Sequence, residues 1–424
     1  KELPVDIPQL VVRDSREALA AIGRLNRKKF TGPVIAITGS AGKTTCKNII
    51  AALLSSRYEV CATEGNLNNE LGVPLTLSRL EDSHDVAVIE MGAAQKGDIA
   101  FLVDIAMPTI SVLTNVNEAH VGRFGDLLTT AQTKGEVFSA LSEAGTAVLN
   151  ADDTYADLWR RDIGSKKEAV EIIDFSLRDS ASAVYLDQVA SSESGTTFRV
   201  NLNFKGRLES FQAQSPLLGY HNVANVAAAI AVALKLNIDR AAICEALQEL
   251  KPEPGRLQLR RAKNNILLID DSYNASPQAI EAAAAVLAEI ASKRNGRSVL
   301  VLGDMAELGG QAAEIHDRVG YLAGQRGVET LFALGDYAGS YTEGFRRSIQ
   351  QSSEDSLPVS VEAMSCKKCV DRSELAEELL ESRFNGAVVL VKGSRSSAMN
   401  KLVDLLIDEQ TTGQPPASNG AGKC

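Results

Sequence analysis

Val34-Ile-Ala-Ile-Thr38 runs directly into Gly39-Ser-Ala-Gly42-Lys43-Thr44-Thr45, and this stretch decides the fold of the first part of the chain. The apolar run predicts a buried strand, and we expect a helix to follow it as far as about Ser55. The glycines let backbone N–H groups turn toward a phosphate, Lys43 reaches the outer phosphates, and the Thr44 hydroxyl can bind Mg²⁺. The pattern predicts a phosphate-binding loop made of Gly39, Ser40, Ala41, Gly42, Lys43, Thr44 and Thr45.

Apolar strands alternate with helical segments in two runs, which is typical of doubly wound, mostly parallel sheets. The expected strands lie near residues 34–38, 59–63, 86–90, 109–115 and 146–150, and then near 266–270, 298–303, 330–335 and 387–393. Between the runs we expect a small antiparallel lobe over about 171–214, a helix over about 222–236 and a linker at 251–255. The fold class is therefore α/β, with a P-loop central ATPase domain followed by a Rossmann-like C-terminal domain.

These runs divide the chain into four expected segments. Residues 32–251 form the central ATP-binding domain, and residues 252–410 form the C-terminal domain. Residues 1–31 begin without a methionine and lead through a short polar amphipathic stretch to the first strand, so we expect a truncated start. Residues 411–424 are rich in Gly, Pro, Ser and Thr and have little to bury, so we expect a disordered tail.

The composition limits the possible partners and locations. The 44 basic and 54 acidic residues give a net charge of -10, which argues against sequence-independent binding of nucleic acid or of an anionic membrane. No apolar run reaches about 18 residues and no secretory signal pattern is visible, so we expect a cytoplasmic protein without membrane insertion. The cysteines are few and scattered, and the pair Cys366 and Cys369 lacks a second pair, so we expect free thiols and a surface loop there.

Polar residues follow several of the predicted strands, where ligands gather in parallel sheets. Glu90 ends one strand, Asn115, Asn117 and His120 follow another, and the asparagine-rich loop 65–74 follows a third. A glutamate at a strand end is often only a solvated charge, but beside a phosphate-binding loop it suits Mg²⁺, which prefers oxygen ligands. His120 could equally be a helix-capping or core histidine, because magnesium rarely takes imidazole.

A series of longer motifs then resembles the Mur ligases, and in particular the branch that adds D-alanyl-D-alanine. The short T-G-S-x-G-K-T-T loop, one residue shorter than the common form, is similar to theirs. The other motifs, in order, are GNLNNELGVP (65–74), EMG (90–92), TKGE (133–136), LGYHNVAN (218–225), DDSYNASP (270–277), GDMAELG (303–309) and KGSR (392–395). The resemblance covers the chain from about Gly32 to Leu406.

The resemblance implies a role for ATP and for two Mg²⁺ ions. Lys43 and Thr44 would hold the ATP phosphates and the metal, and Lys134 matches a lysine that is carbamylated in the family and holds a second metal. The implied metal ligands are Thr44, Glu90, His120 and Lys134, and Lys43, Glu90, His120 and Lys134 are the implied catalytic residues. The implied contacts with adenosine are Asn225, Arg256 and Asp271. A lysine taken alone would ordinarily be an exposed helix residue.

The resemblance also implies the substrates, UDP-N-acetylmuramoyl-tripeptide and D-alanyl-D-alanine. ATP would phosphorylate the tripeptide carboxylate to an acyl phosphate, which the amine of D-alanyl-D-alanine would then attack. The implied substrate-binding residues are Asn66, Asn69, His221, Tyr273, Asn274, Ser276, Lys392, Ser394 and Arg395. On this interpretation the chain acts as a monomer in peptidoglycan precursor synthesis.

The sequence departs from the family pattern at Ala41 and Ser276, where asparagines are usual. Family members also carry an amino-terminal domain that binds the uridine nucleotide of the substrate, and the resemblance implies that residues 1–31 are only a connecting segment from such a domain, which is missing here. Two alternatives stay open. Another amide ligase of the superfamily, of the folylpolyglutamate or cyanophycin type, would use the same loop, although motifs 270–277 and 303–309 disfavour it. A non-catalytic ATP-binding partner could also keep this fold, although it would not need Lys134.

Overall fold

The computed structural model describes residues 7–117, 126–166, 169–351 and 364–407. The chain forms two compact units. The first comprises residues up to Asp187 together with Val200–Phe211 and Ala224–Leu247, and the second comprises Gln188–Arg199, Gln212–Val223 and the chain from Gln248 onward. The predicted tail 411–424 and the predicted metal ligand His120 lie outside the described residues.

The first sheet has the strand order β2-β3-β1-β4-β5-β6-β7-β8-β9, and β1 to β6 are parallel. β1 and β3, which carry the loop and the predicted glutamate, are buried along their whole length and adjacent. The predicted strands are confirmed, with ends shifted by a few residues. The strands are β1 (Val34–Thr38), β2 (Val60–Ala62), β3 (Val86–Glu90), β4 (Ile110–Leu113), β5 (Thr146–Asn150), β6 (Glu171–Ser176), β7 (Val184–Ser192), β8 (Gly195–Phe204) and β9 (Arg207–Ser215).

The polar stretch expected to be a small antiparallel lobe begins instead as an extension of the parallel sheet. β6 pairs in parallel with β5, and the start of β7 pairs in parallel with β6. The chain then reverses into β8 and again into β9, with Lys205 and Gly206 both in the left-handed region at the second turn. The sequence could not distinguish parallel from antiparallel pairing here, because an edge strand in either direction alternates polar and apolar residues.

Helices cover both faces of the first sheet. The helix over 222–236 was predicted correctly to within a few residues, and the helix after the phosphate loop also ends near the expected position. α1 (Ser15–Lys29) is capped by the Asp14 side chain and packs on α3, where Gly23 touches Pro74. The others are α2 (Lys43–Leu54), α3 (Gly72–Ser78), α4 (Asp98–Ala106), α5 (Leu127–Gly135), α6 (Ala156–Lys166), α7 (Tyr220–Lys235) and α8 (Arg240–Gln248).

The second sheet has the order β10-β11-β15-β12-β13-β14, and only its edge strand β10 pairs antiparallel among the described strands. The parallel order brings the ends of β11, β15 and β12 together at one edge. The strands are β10 (Gln258–Arg261), β11 (Leu267–Asp271), β12 (Ser298–Leu302), β13 (Thr330–Leu334), β14 (Ser365–Cys369) and β15 (Val388–Lys392). The helices are α9 (Pro277–Arg294), α10 (Ala312–Gln325), α11 (Ala338–Gln351), α12 (Arg372–Leu379) and α13 (Asn400–Leu406).

The expected surface loop around the paired cysteines is wrong. Cys366 and Cys369 lie on the edge strand β14, as free thiols. Because side chains alternate along a strand, residues three apart face opposite sides of the sheet. The two thiols therefore do not form a common metal or redox site.

Candidate functional site

The phosphate loop connects β1 to α2 through two glycines in backbone conformations that other residues rarely adopt. Gly39 has φ of 152° and Gly42 has φ of 80°. A Cβ at Gly39 would lie 2.0 Å from the Thr114 hydroxyl, so the neighbouring segment leaves no room for a side chain. The loop therefore needs glycine at both ends for conformational and steric reasons.

The helix α2 begins at Lys43 without a hydrogen bond from a capping side chain. Lys43 Nζ donates to the carbonyls of Gly39 (2.8 Å) and Ser40 (3.3 Å), which holds the ammonium over the loop. Thr44 and Thr45 follow in the first turn and are half-buried. A helix start with N–H groups, a nearby ammonium and a positive dipole end is a suitable environment for phosphate.

Asn225 on α7 packs against the other side of this loop, at Gly42. It is buried, and a Cβ at Gly42 would lie 2.5 Å from its Oδ1. The first unit thus brings Asn225 into direct contact with the loop. Most of the domain's sequence lies between the two.

Glu90 lies at the end of β3, beside the strand that leads into the loop, and only 2% of it is exposed. Its Oε1 accepts a hydrogen bond from Asn68 Nδ2 at 2.8 Å, and its Oε2 is buried with no hydrogen-bond partner among the described residues. A buried carboxylate oxygen without a partner is costly unless a ligand satisfies it.

This arrangement fits Mg²⁺, which takes oxygen ligands and often uses one carboxylate together with phosphate and water oxygens. In the described parts of the chain no three His, Cys, Asp or Glu side chains form a metal-binding group. Glu90 Oε2 and the Thr44 hydroxyl are protein oxygens suited to hold such an ion, together with oxygens of its substrates.

Asn68 is the site residue that the sequence did not single out. Its side chain orients Glu90, and its carbonyl accepts a hydrogen bond from Gly92 N–H at 2.7 Å. The two predicted asparagines of the same loop do not share this contact with Glu90. The Asn69 side chain accepts from Gly72 N–H at 2.9 Å and so supports the start of α3, while Asn66 is exposed.

Lys134, on α5, is almost entirely buried, with 2% exposure. Burial, together with the positive charge of Lys43, lowers the pKa of Lys134 to about 7, while Asp98 and Glu136 act in the opposite direction. Glu136 is itself held by the N–H groups of Gly97 and Ala100, at 3.0 Å each. An amine with this pKa is largely neutral at slightly alkaline pH and is therefore a nucleophile.

The second unit contains a separate group of predicted residues around the ends of β11 and β15. Lys392 Nζ is buried and donates to Asp271 Oδ2 at 2.6 Å and to the Asn274 carbonyl at 2.8 Å. The Arg256 guanidinium stacks over the Tyr273 ring at 4.4 Å. The parallel register of the two strands, Asp271 beside Lys392, places these groups together.

Most of the remaining predicted residues of this unit lie in the adjoining turns, while His221 lies in the first turn of α7. Ser276 precedes α9 and Ser394 is buried, with its hydroxyl 3.0 Å from that of Ser396. His221, Asn274 and Arg395 are exposed. Next to them, the loop after β12 is held by His316, whose Nε2 accepts from Met305 N–H at 3.0 Å.

Comparison with known proteins gives matches along nearly the whole chain. Residues 37–233 match the Mur ligase middle domain, and residues 255–395 match the Mur ligase glutamate ligase domain. The UDP-N-acetylmuramoyl-tripeptide–D-alanyl-D-alanine ligase of Escherichia coli K12 is 36% identical over 413 residues, which are 97% of this chain and 85% of that protein.

Solved structures agree with these matches. The structure of MurF from Acinetobacter baumannii has a TM-score of 0.82 at 30% identity, covering 96% of this chain and 83% of that one. MurF ligase from Thermotoga maritima in complex with ADP has a TM-score of 0.75 at 27% identity, covering 96% of this chain and 86% of that one. No helix in the described residues is long and apolar enough to cross a membrane.

Proposed function

The chain belongs to the Mur ligase family, and we infer that it joins D-alanyl-D-alanine to UDP-N-acetylmuramoyl-tripeptide with consumption of ATP. It is an ATP-dependent ligase of peptidoglycan precursor synthesis. The observation that carries the chemical part of this conclusion is the unpartnered, buried Glu90 Oε2 beside a phosphate-binding loop.

The reaction runs in two steps. A carboxylate oxygen of the tripeptide attacks the γ-phosphorus of ATP, the bond to the bridging oxygen of ADP breaks, and an acyl phosphate forms. The amine of D-alanyl-D-alanine, after losing a proton to solvent, attacks the acyl carbon, and inorganic phosphate leaves as the amide bond forms. Lys43 and the N–H groups at the start of α2 stabilise the negative charge on the transferred phosphoryl group.

Mg²⁺ would be held by Glu90 and Thr44, with His120 as a further proposed ligand, and would supply charge neutralisation on the phosphate oxygens. Asn68 keeps Glu90 Oε1 occupied, so Oε2 is the oxygen that remains for the ion. The Lys43 ammonium stays on the loop carbonyls and contributes its charge without a metal contact.

Lys134 would act as a carbamate, formed when its neutral amine combines with CO₂ and releases a proton. The lowered pKa of Lys134, about 7, supports this role, because an ordinary lysine is almost entirely protonated at neutral pH. The carbamate changes a positive group into a negative one, which could hold a second Mg²⁺ ion.

The other predicted residues would bind the organic parts of the substrates. Asn225 would contact adenine, with Arg256 and Asp271 at the ribose. Tyr273, Asn274, Ser276, Lys392, Ser394, Arg395 and His221 would bind D-alanyl-D-alanine, and Asn66 and Asn69 would face the reacting carboxylate. We propose that the enzyme works as a monomer in the cytoplasm, where ATP and nucleotide-linked precursors are available.

The test is phosphate release from ATP with Mg²⁺, UDP-N-acetylmuramoyl-tripeptide and D-alanyl-D-alanine, with each component omitted in turn. We expect release only when all are present, and loss of release in Lys43→Ala. Release with other acids and amines but not with these substrates would support another amide ligase. ATP binding without release under any condition would support a non-catalytic partner.

A further inference from the structure

The apex of the phosphate loop is held from outside by the segment that follows β4. Ala41 N–H donates to Asn115 Oδ1 at 3.0 Å, and Asn115 Nδ2 donates back to the Ala41 carbonyl at 3.1 Å. Ser40 N–H donates to the Asn115 carbonyl at 2.8 Å, and the Thr114 hydroxyl donates to the Ala41 carbonyl at 2.7 Å. The parallel pairing of β1 with β4 brings these two segments side by side.

The chemistry of this contact requires an amide at position 115. A side-chain amide offers a donor and an acceptor on one plane, so Asn115 pairs with Ala41 as the backbone of a neighbouring strand would. Aspartate offers acceptors only when ionised, and alanine offers neither. The Ala41 side chain is a methyl group, so it cannot hold the apex by a hydrogen bond of its own.

The hydrogen bonds between Asn115 and Ala41 matter because both ends of the loop are glycines. Gly39 and Gly42 give the apex more conformational freedom than any other residue would. We propose that Asn115 is a positioning residue for ATP: by fixing Ala41 and Ser40, it fixes the carbonyls that hold the Lys43 ammonium and the N–H groups at the start of α2. This role is additional to those derived above and rests on the ATP-binding function proposed there.

The test is steady-state kinetics of Asn115→Ala in the three-substrate assay. This variant removes both side-chain hydrogen bonds but keeps the backbone bond from Ser40. We expect KM for ATP and Kd for MgADP to rise about tenfold, which is the size expected from losing two neutral hydrogen bonds. KM for D-alanyl-D-alanine and for the UDP-linked tripeptide should change by less than about twofold. Asn115→Asp should also bind nucleotide more weakly, because it cannot donate to Ala41.

A matched control is Asn150→Ala on the next strand. Asn150 also makes two side-chain hydrogen bonds, to the Thr114 carbonyl at 2.8 Å and from Asp152 N–H at 3.0 Å, but neither involves the loop. We expect this variant to lower Tm without a selective rise in KM for ATP. A double-mutant cycle with Thr114→Val should show non-additive effects on ATP binding, since both residues bond the Ala41 carbonyl.

The outcomes separate this proposal from the proposed function. A wild-type enzyme that releases no phosphate would reject the function. An active wild type with an unchanged KM for ATP in Asn115→Ala would overturn the positioning role alone. Equal rises in KM for every substrate, matching those of Asn150→Ala, would also overturn it, since that pattern is expected of a merely structural residue.

Discussion

Asn68 Nδ2 lies 2.8 Å from Glu90 Oε1, and the second oxygen of the same carboxylate is buried without a hydrogen-bond partner among the described residues. The Asn68 amide thus determines which oxygen of the Glu90 carboxylate stays without a hydrogen bond. Asn68 would therefore orient Glu90, the proposed Mg²⁺ ligand, without itself binding the ion.

The first prediction concerns Asn68→Ala. The variant should fold, but Glu90 loses the bond that orients it, and hydrogen bonds to charged groups contribute about 1.5–3 kcal/mol. We expect kcat to fall by roughly 10-fold to 100-fold, with a higher Mg²⁺ concentration needed for half-maximal activity. A Mg²⁺ titration of phosphate release measures both. Asn203→Ala, at an exposed position of β8, is the control. An unchanged Mg²⁺ dependence would exclude the orienting role.

The second prediction compares two glycines with similar backbone conformations. Gly42 has φ of 80° and Gly97 has φ of 90°, but a Cβ would lie 2.5 Å from Asn225 only at Gly42, and would meet nothing within 4 Å at Gly97. The backbone conformation alone costs alanine about 1 kcal/mol of stability at either position. Only Gly42→Ala should weaken nucleotide binding, by more than about tenfold in Kd for MgADP. Titration calorimetry with MgADP measures Kd for both variants, and equal losses of affinity would contradict this prediction.

The third prediction follows from the pKa of Lys134, about 7. Activity should fall as the pH drops below about 7, because the protonated amine cannot combine with CO₂. It should also fall in CO₂-depleted buffer and return when bicarbonate is added. Labelling with ¹³C-bicarbonate should give a carbamate signal by NMR that is absent in Lys134→Arg and present in Lys293→Arg, a variant of a lysine on α9. Full activity without CO₂ would rule out the carbamate.

Much of this site was predictable from the sequence because its signals are local. The phosphate loop, its helix and the glutamate at the end of β3 all occupy positions that strand and loop patterns define. The low pKa of Lys134 was not predictable, since it depends on burial and on the charge of Lys43, which lies far away in sequence.

The residue roles that were missed depend on tertiary contacts. Three asparagines in the loop 65–74 look equivalent in sequence, and only the fold decides that Asn68 meets Glu90 while Asn69 supports α3. The pairing of Asn115 with Ala41 joins the segment after β4 to the phosphate loop after β1, and only the fold brings these two segments together. The parallel start of the stretch after β5 was missed for a related reason, because strand direction depends on the partner strand rather than on the strand's own residues.

The fourth prediction concerns His316, which holds the loop after β12. Its Nε2 accepts from Met305 N–H, its Nδ1 donates to the Ala312 carbonyl at 2.6 Å, and its ring stacks on Tyr337. Burial lowers the pKa of His316 below its ordinary value of about 6.5. The unfolded chain therefore takes up a proton first as the pH falls, so the stability contributed by neutral His316 is complete above about pH 6.5 and shrinks below it.

His316→Gln keeps one hydrogen-bond acceptor and one donor group but does not titrate, so it isolates this effect. We expect the urea midpoint of the wild type to fall more steeply than that of His316→Gln between about pH 7 and pH 5, with similar slopes above about pH 7. His316→Phe keeps a ring against Tyr337 but leaves Met305 N–H without its acceptor, and should be less stable than the wild type throughout that range. If the wild type and His316→Gln lose stability in parallel, the protonation of His316 does not contribute to the acid sensitivity of this domain.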